Sequence, residues 1–282
     1  MSEPRKPIRV WGLPLMPLTR RQAVDAAMAL VERRKPSFFV TANTHYAMLT
    51  RDLAELREIN ARADFLLADG APLVWASHLG GNPVPERVAG SDLIYDLSET
   101  AAARGYRLFL LGGPEGVADE AARRLVLKYP GLVIAGTACP PHRPPTSEEH
   151  EALLETIRRA APDILFVAFG QPKGELWLAE NLDRLGVPLA VQVGASIDFV
   201  AGRVRRAPRW IQKIGMEWAY RLSLEPRRLG PRYARNGLFL VSAVARDLAD
   251  SLRSRRDRAA SSPSPLPTSQ GYSVPQATNT PS

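Results

Sequence analysis

Seven short apolar runs, separated by segments with helical spacing, dominate the sequence from residue 8 to about residue 200. The predicted strands cover 8–11, 37–42, 64–68, 107–111, 132–136, 163–169 and 189–193. The predicted helices cover 19–33, 46–63, 115–128, 147–160 and 173–184. Continuous apolar strands that alternate with helices are typical of a mostly parallel sheet with helices on both faces. The pattern therefore predicts an α/β, Rossmann-like architecture.

The charge of the chain is concentrated near its C-terminus. Residues 203–258 contain 15 Arg and Lys against 5 Asp and Glu, whereas the rest of the chain contains 22 against 24. Residues 259–282 contain no charged residue and are rich in Ser, Pro, Thr, Gln and Asn. We therefore predict three parts: a Rossmann-like catalytic domain (1–202), an arginine-rich helical C-terminal appendage (203–258) and a disordered tail (259–282).

The C-terminal appendage contains two stretches with helical spacing, 206–222 and 236–253, and the basic segment 225–233 predicts a break between them. The second stretch carries one predicted apolar face, formed by Leu238, Val241, Leu248 and Leu252. Such a face contacts a membrane, the protein core or a partner subunit, so a homo-oligomer is left open.

Cysteine use and hydropathy indicate the compartment. Cys139 is the only cysteine, so an internal disulfide is excluded and a reducing compartment is expected. The first 20 residues have no apolar core of signal-peptide length, and no stretch approaches 18 uninterrupted apolar residues. We expect a cytoplasmic protein without a membrane span.

The basic surplus indicates an anionic partner: nucleic acid, a phospholipid surface or a phosphorylated substrate. The arginines at its centre are Arg203, Arg205, Arg206, Arg209, Arg221, Arg227, Arg228 and Arg232, interleaved with Trp210, Trp218, Tyr220 and Tyr233. Arginines with aromatic residues also describe single-stranded nucleic-acid surfaces, so a nucleic-acid-binding protein is one alternative function. Ordinary packing of the aromatic residues is the structural alternative.

Polar residues follow two of the predicted strands directly. Thr41 and Asn43 follow one, and Asp69 follows the next; open α/β folds bind ligands at this edge. Asp69 suits a general base, or else the N-cap of the following helix. Thr41 and Asn43 suit sugar or nucleotide binding, or else an ordinary turn. Arg87 precedes a helix with Ser91 as its predicted cap, and a guanidinium there suits a diphosphate.

Several cofactor motifs are missing. The turn at 110–116, LLGGPEG, departs from G-x-G-x-x-G, which disfavours an NAD-dependent oxidoreductase, the other alternative function. There is no P-loop motif and no Asp-x-Asp pair, and no metal-ligand spacing relates Cys139 to the four histidines. These are His45, His78, His142 and His150. We expect neither a cofactor nor a metal, so arginines must stabilise any departing diphosphate.

Seven segments of the chain resemble the WecG/TagA/CpsF family of bacterial glycosyltransferases. They are TANTHYAML, LLADGAPLVW, RVAGSDL, FLLGG, FGQPKGELW, VGASIDFVAGRVRRAPRW and GMEWAYRLSLEPRRLGPRY. The resemblance implies an inverting enzyme of surface polysaccharide synthesis, peripheral on the inner face of the cytoplasmic membrane. It would move a sugar (N-acetylmannosamine-like, its uronate or a hexose) from a UDP-sugar to an undecaprenyl-diphosphate-linked sugar. Its partners would be the donor, the acceptor and anionic inner-leaflet lipids, with no nucleic acid.

The resemblance also implies roles for individual residues. Asp69 matches the family's proposed general base, and Thr41, Asn43 and Arg87 match substrate-binding positions. Arg221 and Arg228 match arginines of an appendage that is thought to close over the site and dock on the membrane.

One motif departs from the family. Where the family usually has G-x-P-x-Q-E, this chain has GQPKGE, from Gly170 to Glu175. Gly174 stands where the family has glutamine, and Gln171 occupies a different position. We carry Gln171 and Glu175 over as substrate-binding candidates, and donor choice is expected to reflect the difference.

Overall fold

The computed structural model describes residues 6–79, 83–141 and 143–260. Its eight described strands form one sheet in the order β1-β2-β4-β3-β8-β7-β5-β6. They are β1 (Ile8–Val10), β2 (Leu13–Leu15), β3 (Phe38–Ala42), β4 (Leu66–Ala68), β5 (Arg107–Gly112), β6 (Val133–Ala138), β7 (Ile164–Ala168) and β8 (Leu189–Gln192). Apart from the antiparallel β1–β2 hairpin, the strand pairs are parallel. The predicted mostly parallel sheet is confirmed.

Helices cover both faces of this sheet. They are α1 (Arg20–Glu32), α2 (Thr44–Asp52), α3 (Ala54–Arg62), α4 (Ala71–Leu79), α5 (Gly90–Arg104), α6 (Val117–Lys128), α7 (Ser147–Ala160), α8 (Lys173–Leu185), α9 (Ser196–Val200), α10 (Arg209–Lys213), α11 (Glu217–Leu224) and α12 (Pro226–Ala260). Alternate strand residues point to opposite faces, so Val40 joins the core cluster under α2, α7 and α8, whereas Phe39 joins the cluster under α1, α5 and α6. The Rossmann-like fold class is confirmed.

Three predicted segments differ from the structure. The predicted helical stretch 206–222 is two short helices, α10 and α11, separated by residues 214–216. The predicted helix 46–63 is two helices, because Leu53 adopts an extended backbone conformation between α2 and α3. The predicted break at 225–233 is wrong: these residues belong mostly to α12, which contains Pro231. Pro231 lies in the second turn of the helix, where its missing N–H removes a single helical hydrogen bond. Buried side chains further along α12 hold the helix against the domain.

The packed face of α12 is also different from the predicted one. Leu238, Val241 and Leu248 are exposed, whereas Phe239 and Ala243 are buried in the core. Both sets have helical spacing, so the pattern alone could not show which set packs. The side chain of residue 252 lies outside the described part of the chain. The face that we predicted for membrane, core or partner contact is therefore solvent-facing in this chain.

Specific contacts anchor α12 to the sheet domain. The ring of Phe239 meets Trp11 edge-on with centroids 5.6 Å apart, and Trp11 Nε1 donates a 2.8 Å hydrogen bond to Asp247. His45 Nδ1 lies 3.0 Å from Asn236 Oδ1. Burial, and then the charge of Arg232, lower the pKa of His45 to about 4, so the neutral ring donates to the amide oxygen. The division at residue 202 stays a prediction, and of the predicted tail only residues 259–260 are described, inside α12.

Candidate active site

The parallel register of β3 and β4 brings three predicted site residues to one edge of the sheet. Thr41 pairs with Leu67, and the N–H of Asp69 donates to the carbonyl of residue 42 at 2.8 Å. The carboxyl ends of the two strands are therefore level. Thr41 is the penultimate residue of β3, and Asn43 and Asp69 directly follow β3 and β4. This is the edge at which open α/β sheets bind ligands.

The two polar residues at the carboxyl end of β3 have different surroundings. Asn43 Oδ1 accepts a 3.1 Å hydrogen bond from the N–H of Tyr46 and caps α2. The side-chain oxygen of Asn43 therefore has a structural function as a helix cap. The Thr41 hydroxyl makes no hydrogen bond within the described residues, although Gly90 packs so closely that a Cβ there would lie 3.2 Å from Thr41 Oγ1. That hydroxyl is free to bind a ligand.

Asp69 does not cap α4. Within the described part of the chain its carboxylate forms neither a hydrogen bond nor an ion pair, and Leu73 donates its N–H to the carbonyl of Gly70 instead. The residue keeps some exposed surface, but the surrounding protein replaces most of its hydration and raises its pKa to about 6. Arg87 opposes that shift, and Glu217 adds to it. An unpaired carboxylate that titrates near neutral pH is suited to accept a proton.

Arg87 belongs to a four-residue charge network beside Asp69. Arg87 lies 3.7 Å from Asp92 and 3.5 Å from Glu217, while Arg206 lies 2.5 Å from Asp92 and 3.4 Å from Glu217. The guanidinium of Arg87 is thus close to two carboxylates rather than open to solvent. Because Arg206 and Glu217 come from the C-terminal appendage, the network joins it to the start of α5.

The predicted cap of α5 is wrong. Ala89 is the N-cap, without a side-chain capping hydrogen bond, and Ser91 lies inside the first turn. The carbonyl of Ser91 accepts a 3.4 Å hydrogen bond from Arg206. The helix begins two residues earlier than predicted, after a loop that the hydrogen bond from the N–H of Val88 to the carbonyl of Ala68 holds against β4.

Three arginines of α11 and α12 form a second positive cluster. The sequence placed all three in the basic segment, and the family resemblance made two of them site candidates. Arg221 and Arg228 were predicted, and Arg232 lies one turn after Arg228. Burial, and the neighbouring charges of Arg221 and Arg228, lower the pKa of Arg232. The Nε atoms of Arg221 and Arg232 are buried without a hydrogen-bond partner, whereas Arg228 pairs with Glu225. The i, i+4 spacing was the signal that could have found Arg232.

A polar cluster is buried at the ends of β7 and β8. Glu175 is 2% exposed, and its burial raises the carboxyl pKa to about 7, against the nearby amides of Gln171 and Gln192. Gln171 Nε2 donates to the carbonyl of Thr41 at 3.4 Å, which connects the cluster to the edge that carries Asp69. Gln171 and Glu175 were predicted site residues, and Gln192 was not. No local motif marks Gln192, because it ends an ordinary apolar strand.

The buried carboxyl gives a testable pH dependence of stability. Its pKa is raised in the folded state, so its protonated form stabilises the fold below about pH 4.5, and that stability is lost as the pH rises through about 7. We expect Glu175→Gln to have the same free energy of unfolding as wild type at pH 4.5 but a value about 3 kcal/mol higher at pH 8. Urea titrations at both pH values measure this. Glu180→Gln, at an exposed position of α8, is the control, and equal pH dependence in wild type and Glu175→Gln would contradict the prediction.

Neither a metal-binding cluster nor a membrane-spanning helix is found among the described residues. They contain no group of three or more His, Cys, Asp and Glu side chains that could hold a metal ion, and His142 lies outside them. Among them, too, no helix combines the length and apolar content needed to cross a membrane.

Comparison with known proteins agrees with this geometry. The family described as "Glycosyl transferase WecG/TagA/CpsF family" matches residues 8–254. A relative from Bacillus spizizenii, named N-acetylglucosaminyldiphosphoundecaprenol N-acetyl-beta-D-mannosaminyltransferase, is 31% identical over 198 residues, which are 70% of this chain and 75% of that protein. A relative of the same name from Staphylococcus aureus is 32% identical over 196 residues, or 68% of this chain and 74% of that protein.

The fold, the edge of the sheet and these matches together define the class: the chain is a glycosyltransferase. It belongs to the WecG/TagA/CpsF family, as the sequence motifs predicted. Its functional setting is cell-envelope polysaccharide biosynthesis.

Proposed function

We propose that the enzyme transfers an N-acetylhexosamine, of the N-acetylmannosamine type, from a UDP-sugar to an undecaprenyl-diphosphate-linked sugar. The observation that carries the proposal is the unpaired carboxylate of Asp69 at the sheet edge, with the guanidinium groups of Arg87 and Arg206 close enough to lower its pKa. The names of the relatives support the sugar and the acceptor. A uronate or a plain hexose has no comparable support.

In the proposed reaction Asp69 takes the proton from the acceptor hydroxyl. The hydroxyl oxygen forms a bond to the anomeric carbon of the donor while the bond from that carbon to the β-phosphate oxygen breaks, so the configuration inverts. UDP leaves with the bonding electrons, and Arg221, Arg228 and Arg232 stabilise the charge that develops on its diphosphate. The like-charge cluster is suited to this step because an anion relieves its repulsion.

The other predicted residues have roles consistent with their positions. The free hydroxyl of Thr41 is proposed to bind a donor or acceptor hydroxyl. Asn43 orients α2 through its oxygen and has its amide nitrogen available for substrate. Arg87 is proposed to hold Asp69 in its ionised form and to bind phosphate when the substrate competes for its carboxylate partners.

A cleft beside Arg87 suits the lipid end of the acceptor. It has a volume of about 320 Å³ and lies between α4 and residues 212–215, with Val74, Trp75 and Ile214 as its apolar wall. An apolar wall that ends at a guanidinium matches the junction between a polyprenyl chain and a diphosphate. This supports approach of the acceptor from the side of α4.

The direct test is a product assay. Purified enzyme is incubated with a short-chain lipid-diphosphate N-acetylglucosamine and UDP-sugars with and without an acetamido group, and the products are identified by mass. We expect one added N-acetylhexosamine. UDP should raise the melting temperature and an oligonucleotide should not; stabilisation by the oligonucleotide without any transfer would favour the nucleic-acid-binding alternative.

We also propose peripheral attachment to the anionic inner leaflet. Trp210, 65% exposed, stands with exposed Ile214 and Trp218 among the arginines of the C-terminal appendage. Aromatic side chains with arginines suit the membrane interface, and each nearby Lys or Arg contributes about 1 kcal/mol.

This attachment gives a prediction for vesicle binding. We expect binding to vesicles with phosphatidylserine to weaken as salt rises, and Trp210→Ala to weaken it further at every salt concentration. Leu127→Ala, at a 68% exposed position on α6, is the matched control. Point substitutions are needed because removing the whole appendage would uncover the core around Phe239. Equal binding by Trp210→Ala and wild type in flotation assays would contradict this surface.

A further inference from the structure

Gly174 and Gln192 share one space between α8 and β8. A Cβ added at Gly174 would lie 2.9 Å from Cδ and Nε2 of Gln192 and closer still to its Cγ. Cβ atoms in proteins do not approach other heavy atoms so closely, so any larger residue at 174 would displace the side chain of Gln192. The glycine therefore allows the amide of Gln192 to reach the polar cluster around Glu175.

The backbone determines which end of each amide faces this cluster. Gln192 Oε1 accepts the N–H of Gly194, and a backbone donor requires the oxygen there. Gln171 Nε2 donates to the carbonyl of Thr41, which requires the nitrogen there. Gln192 Nε2 and Gln171 Oε1 are consequently the ends that remain, and both are buried without a hydrogen-bond partner.

Glu175 Oε2 is a third buried atom without a partner in this cluster. Gln192 is 4% exposed and Glu175 is 2% exposed. Buried polar atoms in native proteins are almost always hydrogen-bonded, and each one left alone destabilises the fold. Both amides lie close enough to the Glu175 carboxyl to lower its pKa, so the three atoms, one donor and two acceptors, are neighbours. They adjoin the sheet edge that carries Asp69, and a ligand with complementary polar groups would complete their hydrogen bonds.

We propose that Gln192 and Gln171 bind the acetamido group of the donor sugar. Gln192 Nε2 donates to the acetamido carbonyl oxygen, Gln171 Oε1 accepts the acetamido N–H, and Glu175 hydrogen-bonds an adjacent sugar hydroxyl. An acetamido group supplies one acceptor and one donor, which matches the two open amide ends. This inference rests on the proposed function and assigns Gln192 as a specificity-determining residue.

The test compares two donors that differ only at C2, UDP-N-acetylmannosamine and UDP-mannose. Dissociation constants are measured by calorimetry, and kcat/KM is measured with the lipid-linked acceptor. We expect Gln192→Met to weaken binding and kcat/KM of the acetamido donor by roughly 10- to 100-fold, with UDP-mannose little changed. The KM for the acceptor should stay as in wild type. Equal effects on both donors, or no effect on either, would overturn the inference.

Gly174 provides a second variant that leaves Gln192 chemically intact. Gly174→Ala pushes the amide aside and should produce the same selective loss, whereas Gly237→Ala, at a helical position with open space, should not. The exchange G174Q/Q192G places one amide in the same space from the other side. We expect the double variant to discriminate between the two donors better than G174Q or Q192G alone. Such non-additivity is expected for residues that share one space.

Failure of the inference and failure of the proposed function give different results. Wild type that transfers sugar but binds both donors equally well, or prefers UDP-mannose, overturns the acetamido subsite alone. Wild type that binds neither UDP-sugar overturns both. Selective binding of the acetamido donor without transfer to the lipid-linked acceptor supports the subsite and contradicts the proposed acceptor.

Discussion

Asp69→Asn is expected to lower kcat by about 10² to 10⁴, the usual contribution of a general base, without disturbing the fold. The amide keeps the shape of the carboxylate, and no hydrogen bond within the described residues depends on its charge. In wild type, kcat/KM should fall tenfold per pH unit below about pH 6, where Asp69 becomes protonated. Donor affinity should change little, because the loss lies in the chemical step.

The same substitution should also stabilise the protein at pH values where Asp69 is ionised. A raised folded-state pKa means that ionising Asp69 opposes folding, so wild type loses stability as the pH rises from about 4 through about 6. At pH 8 we expect Asp69→Asn to have a free energy of unfolding roughly 2–3 kcal/mol above wild type, and at pH 4 no difference. Asp183→Asn, at an exposed position, is the control. Full activity in Asp69→Asn would remove Asp69 from the mechanism.

Arg232→Gln is expected to lower kcat by about 10² to 10³, as for removal of one preorganised donor from a developing oxyanion. The Nε atom of Arg232 is buried and the charges of Arg221 and Arg228 are close by, and no ion pair within the described residues neutralises the guanidinium. The repulsion between these like charges is unfavourable in the free enzyme, and binding of the departing diphosphate at Arg232 would offset it. Dissociation of UDP should also become faster.

Arg227→Gln is the matched control for this arginine, because it removes the same charge from an exposed position of the same helix. The two variants should bind anionic vesicles almost equally, so that a difference in kcat reports the site rather than the membrane. The melting temperature of Arg232→Gln should be no lower than that of wild type, since relief of like-charge repulsion offsets the lost contacts. Equal kcat in the two variants would exclude Arg232 from diphosphate stabilisation.

The local pattern of the sequence was sufficient for the sheet and for the strand-edge residues. Strands such as β3 and β7 are buried on both faces, so their apolar runs are continuous and unmistakable. Because parallel neighbours end at one edge, the positions of Thr41 and Asp69 followed from the strand ends alone. The break at Leu53 was invisible, since one extended residue does not interrupt a helical pattern of apolar side chains.

Helix faces were less predictable than strand ends. Leu238 and Phe239 are adjacent in sequence, and each belongs to a stripe with helical spacing. The choice between the stripes depends on Trp11, more than 220 residues away, against which Phe239 packs. The same kind of distant contact explains why the guanidinium of Arg87 is not free: Glu217 of the C-terminal appendage forms an ion pair with it.

The sequence by itself determined the fold class, the family and the strand edge at which Asp69 stands, because these depend on hydrophobic periodicity and on motifs that are contiguous in the chain. Only the tertiary structure decided that Asp69 is free of any capping role, that Arg232 joins Arg221 and Arg228, and that Gly174 leaves room for Gln192. The physical reason is that burial, pKa and unpaired polar atoms arise from contacts between distant segments. No local pattern records which segments those are.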